Sequence, residues 1–307
     1  FFGKNITASM DGLNAILKNG KIELDFNGKV INIIDTTADI EDGKFLLSGF
    51  ADDYNNLDVT AQIKNISADK LLNIAKSSPL VKPFSGDLSF IKSAKGKTDA
   101  TINFKGKAKS LEGMDFIKDI SPAGDILLNG VSAVVFPNIS LNNVRGKISF
   151  SDVFDVNLNA NFNGAKLKTV GILEPVTKNL SDKNAVYKVD LNTKISSMLF
   201  SKLLNIVTEQ NYFNNQSLKF ALLNTPIKSI DFVFNSDGKV KGVVPADFSK
   251  IDFSKLSVNG NFNPINSQKS KHISFTSGKY SINGSKILIS NSRIKLFGSD
   301  IYTDGQI

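Results

Sequence analysis

The strongest structural signal in the chain is the stretch Val156-Asn157-Leu158-Asn159-Ala160-Asn161-Phe162-Asn163, in which every second residue is apolar and every residue between is asparagine. Successive side chains of a β-strand point to opposite faces of its sheet. Strands of a parallel sheet buried on both sides would instead carry continuous apolar runs. The stretch therefore predicts a strand with one apolar face and one hydrated face.

The same alternation recurs along the chain, in residues 22–26, 57–63, 189–195, 230–234 and 256–262. Dipeptides that supply the positive φ angles of tight hairpin turns are scattered between these segments: Asn19-Gly20, Asn27-Gly28, Asp42-Gly43, Asn129-Gly130, Asn163-Gly164, Asp237-Gly238 and Asn283-Gly284. Strand, short turn and strand in this order predict a mainly β protein built as an antiparallel meander.

The chain also repeats a longer unit. Residues 42–49 and 163–171 each consist of a turn, a strand and a glycine that closes the strand. Repeats of this kind indicate an array whose units stack along one axis. We therefore expect residues 1–307 to form one continuous repetitive segment, with looser sub-units at about 1–85, 86–195 and 196–307. Because the chain opens on Phe1 without an initiator methionine, we expect it to be an internal piece of a longer protein or a matured product.

Only short helices are predicted. Residues 67–76 begin with a candidate N-cap, Ser67, and Pro79 lies just beyond their end. Residues 197–210 form an amphipathic pattern whose apolar stripe consists of Leu199, Leu203, Leu204 and Val207. One or two such helices cannot cover the apolar face of so many strands.

That face must be covered by something. The sheet either folds onto itself as a dry sandwich or barrel, or curls into a trough that meets a hydrophobic ligand. Burial stabilises by about 25 cal/mol per Å² of apolar area, so a bound acyl chain can take the place of protein. Alternation alone slightly favours the sandwich or barrel, since such folds are common.

Composition excludes several functional classes. The chain has no cysteine and one histidine, His272, so thiol nucleophiles, disulfides and cysteine metal sites are excluded. The formal charge is +8, but the lysines are scattered and the arginines are only Arg145 and Arg293, unlike the arginine-rich faces that read nucleic acids. We predict no enzymatic activity, no cofactor, no metal and no nucleic-acid partner.

Two stretches resemble the repeats of the AsmA-like family and its YhdP-like and TamB-like relatives. The first is Ile139-Ser140-Leu141-Asn142-Asn143-Val144-Arg145-Gly146-Lys147-Ile148-Ser149-Phe150 followed by residues 163–172, and the second is residues 277–298. The first is similar to that family's repeating order of leucine, asparagine-valine, glycine, strand, later glycine and strand, and the second is similar to its C-terminal repeat. The similarity extends over most of the chain as a pattern of residue spacing. It includes no invariant polar residue that could act in catalysis.

The resemblance implies an elongated open groove, shaped like a taco shell, in a periplasmic protein of the Gram-negative envelope. It implies that a segment outside this chain anchors the protein to the inner membrane. The groove would shield phospholipid or other acyl chains during transport between the inner and outer membranes, and would support envelope integrity. The residues expected to line it are Ile22, Leu24, Phe26, Leu57, Val59, Ile63, Ile102, Phe104, Val156, Leu158, Ala160, Phe162, Val189, Leu191, Ile195, Ile230, Phe232, Phe234, Leu256, Val258 and Phe262.

Two other functional classes stay open. One is a closed β-sandwich or a solenoid with a structural or adhesion role, although the hairpin dipeptides and the basic balance fit a solenoid poorly. The other is a β-jellyroll similar to those of lipopolysaccharide transport, which would also be periplasmic and lipid-bound.

Overall fold

The described part of the chain forms one antiparallel sheet of sixteen strands. A computed structural model describes residues 1–9, 15–52, 56–78, 88–107, 120–135, 139–176, 184–203, 232–247, 251–252, 255–266, 273–283, 286–296 and 299–306. The strands are β1 (Phe2–Ser9), β2 (Ile16–Asn27), β3 (Val30–Ile40), β4 (Gly43–Asp52), β5 (Asn56–Ser67), β6 (Ile91–Gly106), β7 (Ile120–Val135), β8 (Ile139–Phe150), β9 (Phe154–Phe162), β10 (Ala165–Pro175), β11 (Val186–Leu199), β12 (Val233–Pro245), β13 (Leu256–Asn266), β14 (Ile273–Asn283), β15 (Lys286–Leu296) and β16 (Ser299–Gln306). One helix, α1 (Ala68–Ser77), separates β5 from β6.

The predicted fold class is confirmed. Each strand pairs with its neighbours in sequence, in the order β1 to β16. The sheet is a meander curled into an elongated groove, and it is not closed into a barrel. The division into looser sub-units stays a prediction, and the boundary near 195 falls inside β11.

The predicted helices are found with one change of boundary. Helix α1 occupies the expected place and follows the N-cap residue Ser67. The second helix begins at Phe200, because β11 continues through Leu199, and the described residues follow it as far as Leu203. Leu199 therefore belongs to a strand, and Leu204 and Val207 lie outside the described residues.

Several predicted turns are wrong. Three of the dipeptides lie inside strands: Asn19-Gly20 in β2, Asn129-Gly130 in β7 and Asp237-Gly238 in β12. The dipeptides Asn27-Gly28 and Asn163-Gly164 do form turns. Asn19 and Gly130 do have positive φ angles, 53° and 76°, but they lie at β-bulges within the strands and not in turns. The strands are consequently longer than the sequence indicated.

In eight strands a β-bulge, where the register of pairing shifts, coincides with a residue of positive φ. These residues are Asn5, Asn19, Asn65, Gly96, Gly130, Asn143, Ser197 and Asn291. A further shift in β3, between Ile33 and Thr36, has no such residue. A bulge adds one residue to one strand, bends that strand and increases the local twist. Bulges repeated from β1 to β15 therefore contribute to the curl of the sheet.

Three of these bulges are held by a side chain of the following strand. In each, the backbone N–H of the bulged residue donates to a side-chain oxygen: Asn65 to Asp99 at 2.6 Å, Ser197 to Asn235 at 3.0 Å and Asn291 to Asp304 at 2.8 Å. The extra residue of a bulge has no partner in the ladder. The acidic or amide side chain supplies one.

Asp42 fixes the start of α1 to the sheet. It lies in the β3–β4 turn, where one carboxylate oxygen accepts a hydrogen bond from the Ser67 backbone N–H at 3.0 Å. The other oxygen accepts from the Ser67 hydroxyl and from Lys97 Nζ, which lies 2.6 Å away. The bond from Lys97, followed by those from Ser67, holds the pKa of Asp42 well below its usual range.

We expect Asp42→Asn to lower the free energy of unfolding by about 1 kcal/mol at neutral pH, since it removes a partly exposed ion pair and weakens two hydrogen bonds. A carboxylate whose pKa is lowered by folding stabilises above its unfolded pKa of about 3.9 and loses that effect as pH falls toward the folded pKa. The difference between the two proteins should therefore shrink as pH falls below about 4.

Urea unfolding at neutral and acid pH measures this difference. Asp152→Asn is the control, because Asp152 is exposed and has no ion pair with any described residue. If both substitutions had the same effect at neutral pH, the anchoring role of Asp42 would be contradicted.

Candidate functional site

The register of the strands brings the predicted lining residues onto one face of the sheet. In neighbouring strands Val156 lies opposite Gly171, and Gly171 lies opposite Leu191. The same pairing places every predicted lining residue in the described strands on this face, which we call the apolar face. Phe232 precedes β12 by one residue, and its ring lies 6.0 Å from that of Phe234. Ile230 lies outside the described residues.

An unbroken apolar row crosses the sheet on this face. Each of its members lies directly opposite the next: Ala38, Phe45, Ile63, Ala100, Ile126, Ile148, Val156, Gly171, Leu191, Val240, Val258 and Ile282. With about 4.8 Å between neighbouring strands, the row extends roughly 50 Å from β3 to β14. That distance exceeds the hydrocarbon thickness of a bilayer, about 30 Å.

The lining residues differ in how far they are covered. Six are buried: Val59, Ala160, Val189, Phe232, Phe234 and Leu256. Thirteen are half-buried: Ile22, Leu24, Leu57, Ile63, Ile102, Phe104, Val156, Leu158, Phe162, Leu191, Ile195, Val258 and Phe262. Phe26 is 58% exposed. Much of the apolar face is therefore reachable from solvent, while parts of it are sealed by protein.

Short helices seal some of those parts. Ile74 of α1 is buried in a cluster with Ile40, Phe45 and Ile66. At the start of the second helix, the Phe200 ring stacks on Phe232 with 4.8 Å between ring centroids. The row is buried at Ala38, Phe45 and Ala100, on β3, β4 and β6, and half-buried from β7 to β14.

The polar groups on the described part of the apolar face are mainly hydroxyls, and two of them, Thr36 Oγ1 and Ser292 Oγ, are buried without a hydrogen-bond partner. Others are paired. Thr98 Oγ1 donates to the Leu127 carbonyl at 2.8 Å, and the hydroxyls of Ser236 and Tyr280 lie 2.9 Å apart. Burial raises the pKa of the Tyr187 hydroxyl to about 12. The face consequently offers hydrocarbon contact and little that would distinguish one polar group from another.

The opposite face is hydrated. Its side chains form exposed ion pairs between neighbouring strands, such as Lys105 Nζ to Asp58 and Lys147 Nζ to Asp125, both at 2.9 Å. Exposed pairs of this kind stabilise by roughly 0–1 kcal/mol each. Their main effect is to keep this face in water.

Several glycines lie on the apolar face, and the prediction that Gly49 and Gly171 close their strands is wrong. Gly49 and Gly171 do not close their strands but lie inside β4 and β10, with φ angles of 137° and 151°. At Gly49, Gly124, Gly146, Gly171 and Gly242, a Cβ would lie 2.0–2.2 Å from a carbonyl oxygen of the neighbouring strand. The recurrence of a glycine at the same place in both repeats was the sequence feature that could have predicted this close approach of neighbouring strands.

No group of three or more acidic or histidine side chains in the described part of the chain could hold a metal ion. Within those same residues, no helix combines the length and the apolar character that crossing a bilayer requires. No family model, curated protein or solved structure matches the chain. The resemblance to the AsmA-like family thus stays a prediction.

Proposed function

We propose that the apolar face holds the acyl chains of lipids and shields them from water. The observation that carries this proposal is the apolar row, which stays half-buried across the eight strands from β7 to β14. A chain of hydrocarbon placed along the row meets an apolar residue or glycine at every strand. Covering about 300 Å² of such a surface would contribute roughly 7 kcal/mol before the cost of ordering the ligand is subtracted.

The same row supports movement of the lipid. An acyl chain that advances by one strand exchanges one aliphatic contact for another, so its free energy changes little from step to step. The apolar row itself contains no polar side chain, which supports binding by the tail alone, with the headgroup left in water. Transport by passive sliding follows from these two properties.

The wider setting rests on the family resemblance. We propose that the chain is a periplasmic segment of an AsmA-like protein, attached to the inner membrane by a region outside this chain. Its cargo would be phospholipid moving between the inner and outer membranes. In this setting the protein supports the integrity of the envelope and catalyses no reaction.

Mass spectrometry of lipids retained after purification without detergent tests this function. We expect phospholipids to be extracted from the purified protein by organic solvent. Lipopolysaccharide in place of phospholipid would favour the jellyroll-like role, and a protein free of lipid would favour a structural or adhesion role. A fluorescent phospholipid labelled on its acyl chain provides a second readout, since its emission rises when the label leaves water.

A further inference from the structure

A cluster of cations lies on the hydrated face, opposite the groove. Arg145 of β8, Lys166 and Lys168 of β10 and Lys194 of β11 line a shallow depression of about 230 Å³. The other polar residues of its lining are Asn143, Asn159, Asn161 and Ser196. All four cations are exposed, and none of the described residues that line the depression carries a carboxylate.

The cluster is poorly neutralised. Arg145 Nε donates to the amide oxygen of Asn143 at 3.0 Å, and neither Lys166 nor Lys168 forms an ion pair with a described residue. Lys194 Nζ lies 3.6 Å from an Asp237 carboxylate oxygen, the only acidic contact of the cluster among the residues described. By contrast, the other arginine of the chain, Arg293, is paired with Asp300.

The register concentrates this charge. Arg145 lies opposite Asn159, Asn159 opposite Lys168, and Lys168 opposite Lys194. Cations on neighbouring strands, such as Lys168 and Lys194, are thus attached to backbones about 5 Å apart. Like charges at this spacing repel, and an anion placed between them removes the repulsion and gains from each cation.

A second depression continues the first toward β13. Its volume is about 370 Å³, and Lys168 and Lys194 line both depressions. Lys239 adds a cation that is shared with Asp190 at 2.9 Å, Asn192, Asn259 and Asn261 add amide donors, and Asp237 adds one carboxylate. The polar surface therefore extends over six strands, β8 to β13, with cations on four of them, β8, β10, β11 and β12.

We infer that this cluster binds phosphate-type anions at a site separate from the groove. Guanidinium, ammonium and amide N–H groups are the donors that phosphate oxygens accept from, and charge assistance makes these bonds strong. Such an anion has two sources, the headgroups of an anionic membrane and phosphate free in solution. The open, shallow form of both depressions suits headgroups presented on a surface.

Vesicle flotation tests the site, using phosphatidylcholine vesicles with and without phosphatidylglycerol. We expect binding only to the vesicles that contain phosphatidylglycerol, and weaker binding as salt is raised. The site variant carries Arg145→Gln, Lys166→Gln, Lys168→Gln and Lys194→Gln. Its affinity should fall by about fivefold for each cation removed, and so by roughly several hundredfold in total.

A matched control removes the same charge elsewhere, at lysines without an ion pair to any described residue. It carries Lys18→Gln, Lys64→Gln, Lys95→Gln and Lys286→Gln. Because it leaves the cluster intact, it should keep most of the affinity of the unchanged protein. Retention of acyl-labelled lipid should be the same in both variants, which separates this site from the groove.

Each outcome decides the inference. Loss of vesicle binding in the site variant alone supports a headgroup site. Calorimetric binding of inorganic phosphate that is lost in the site variant, without vesicle binding, assigns the site to free phosphate. Equal losses in the two variants, or binding of neither probe, would overturn it.

Discussion

Replacing Val156 by lysine is expected to lower lipid retention at least tenfold, whereas replacing its neighbour Asn157 by lysine should leave retention nearly unchanged. Val156 lies in the apolar row between Ile148 and Gly171, is half-buried and belongs to none of the buried clusters. An ammonium group there must either lose water against an acyl chain or hold water in the groove. Burying an unpaired charge costs several kcal/mol, and the tenfold loss needs only about 1.4 kcal/mol.

Asn157 is the matched control, because it receives the same side chain on the same strand and faces the hydrated side between Lys147 and Val170. Retention of an acyl-labelled phospholipid through gel filtration measures both variants, and circular dichroism verifies that both keep their strands. Equal retention in the two variants would contradict the assignment of cargo to the apolar face.

The faces could be predicted because parity is preserved wherever a strand is regular. In β9 the alternation of Val156, Leu158, Ala160 and Phe162 is uninterrupted, and the structure places all four on one face. The prediction needed only the two-residue period of a strand. It needed no knowledge of the partner strands.

Alternation no longer predicts the face of a residue that follows a β-bulge. Ile63 and Ile66 both lie on the apolar face although they are three residues apart, because the bulge at Asn65 adds one residue between them. Simple alternation would assign Ile66 to the hydrated face. The same shift joins Leu141 to Val144 across the bulge at Asn143.

The wrong turn predictions, in which dipeptides within strands were taken for hairpin turns, have a related cause. Both require a residue with positive φ, and asparagine and glycine supply it in either setting. A dipeptide such as Asn129-Gly130 therefore predicts a change of backbone direction, but it does not distinguish a turn that ends the strand from a bulge within it. Whether the strand continues depends on whether the neighbouring strand has a residue to pair with, and the sequence around the dipeptide does not show this.

Alternation alone did not predict the curvature of the sheet, which depends on contacts between strands, and the expectation of a curled groove came from the family resemblance. Alternation left a closed sandwich or barrel slightly favoured, and the structure has a single open sheet. The glycines of the apolar face let neighbouring backbones approach where a side chain would collide. Their positions across the sheet become visible only with the register.

We expect Gly171→Ala to lower the free energy of unfolding by about 3 kcal/mol, the sum of a strained backbone angle and a steric clash. The φ angle of Gly171 is 151°, a conformation that residues with a Cβ rarely adopt. Its Cβ would lie 2.1 Å from the Asp190 carbonyl oxygen and 2.9 Å from the Leu191 Cα. Both contacts are to backbone, so relief requires β10 and β11 to separate.

Gly28→Ala is the control. Gly28 also has a positive φ, 60°, but no atom lies within 4 Å of the position its Cβ would take. Its substitution should therefore cost only about 1 kcal/mol for the left-handed conformation. Guanidinium unfolding followed by circular dichroism compares the two, and equal losses would show that close approach at Gly171 does not stabilise the sheet. Because separating β10 from β11 also breaks the apolar row between Val156 and Leu191, the Gly171 variant that remains folded should retain less lipid than the Gly28 variant.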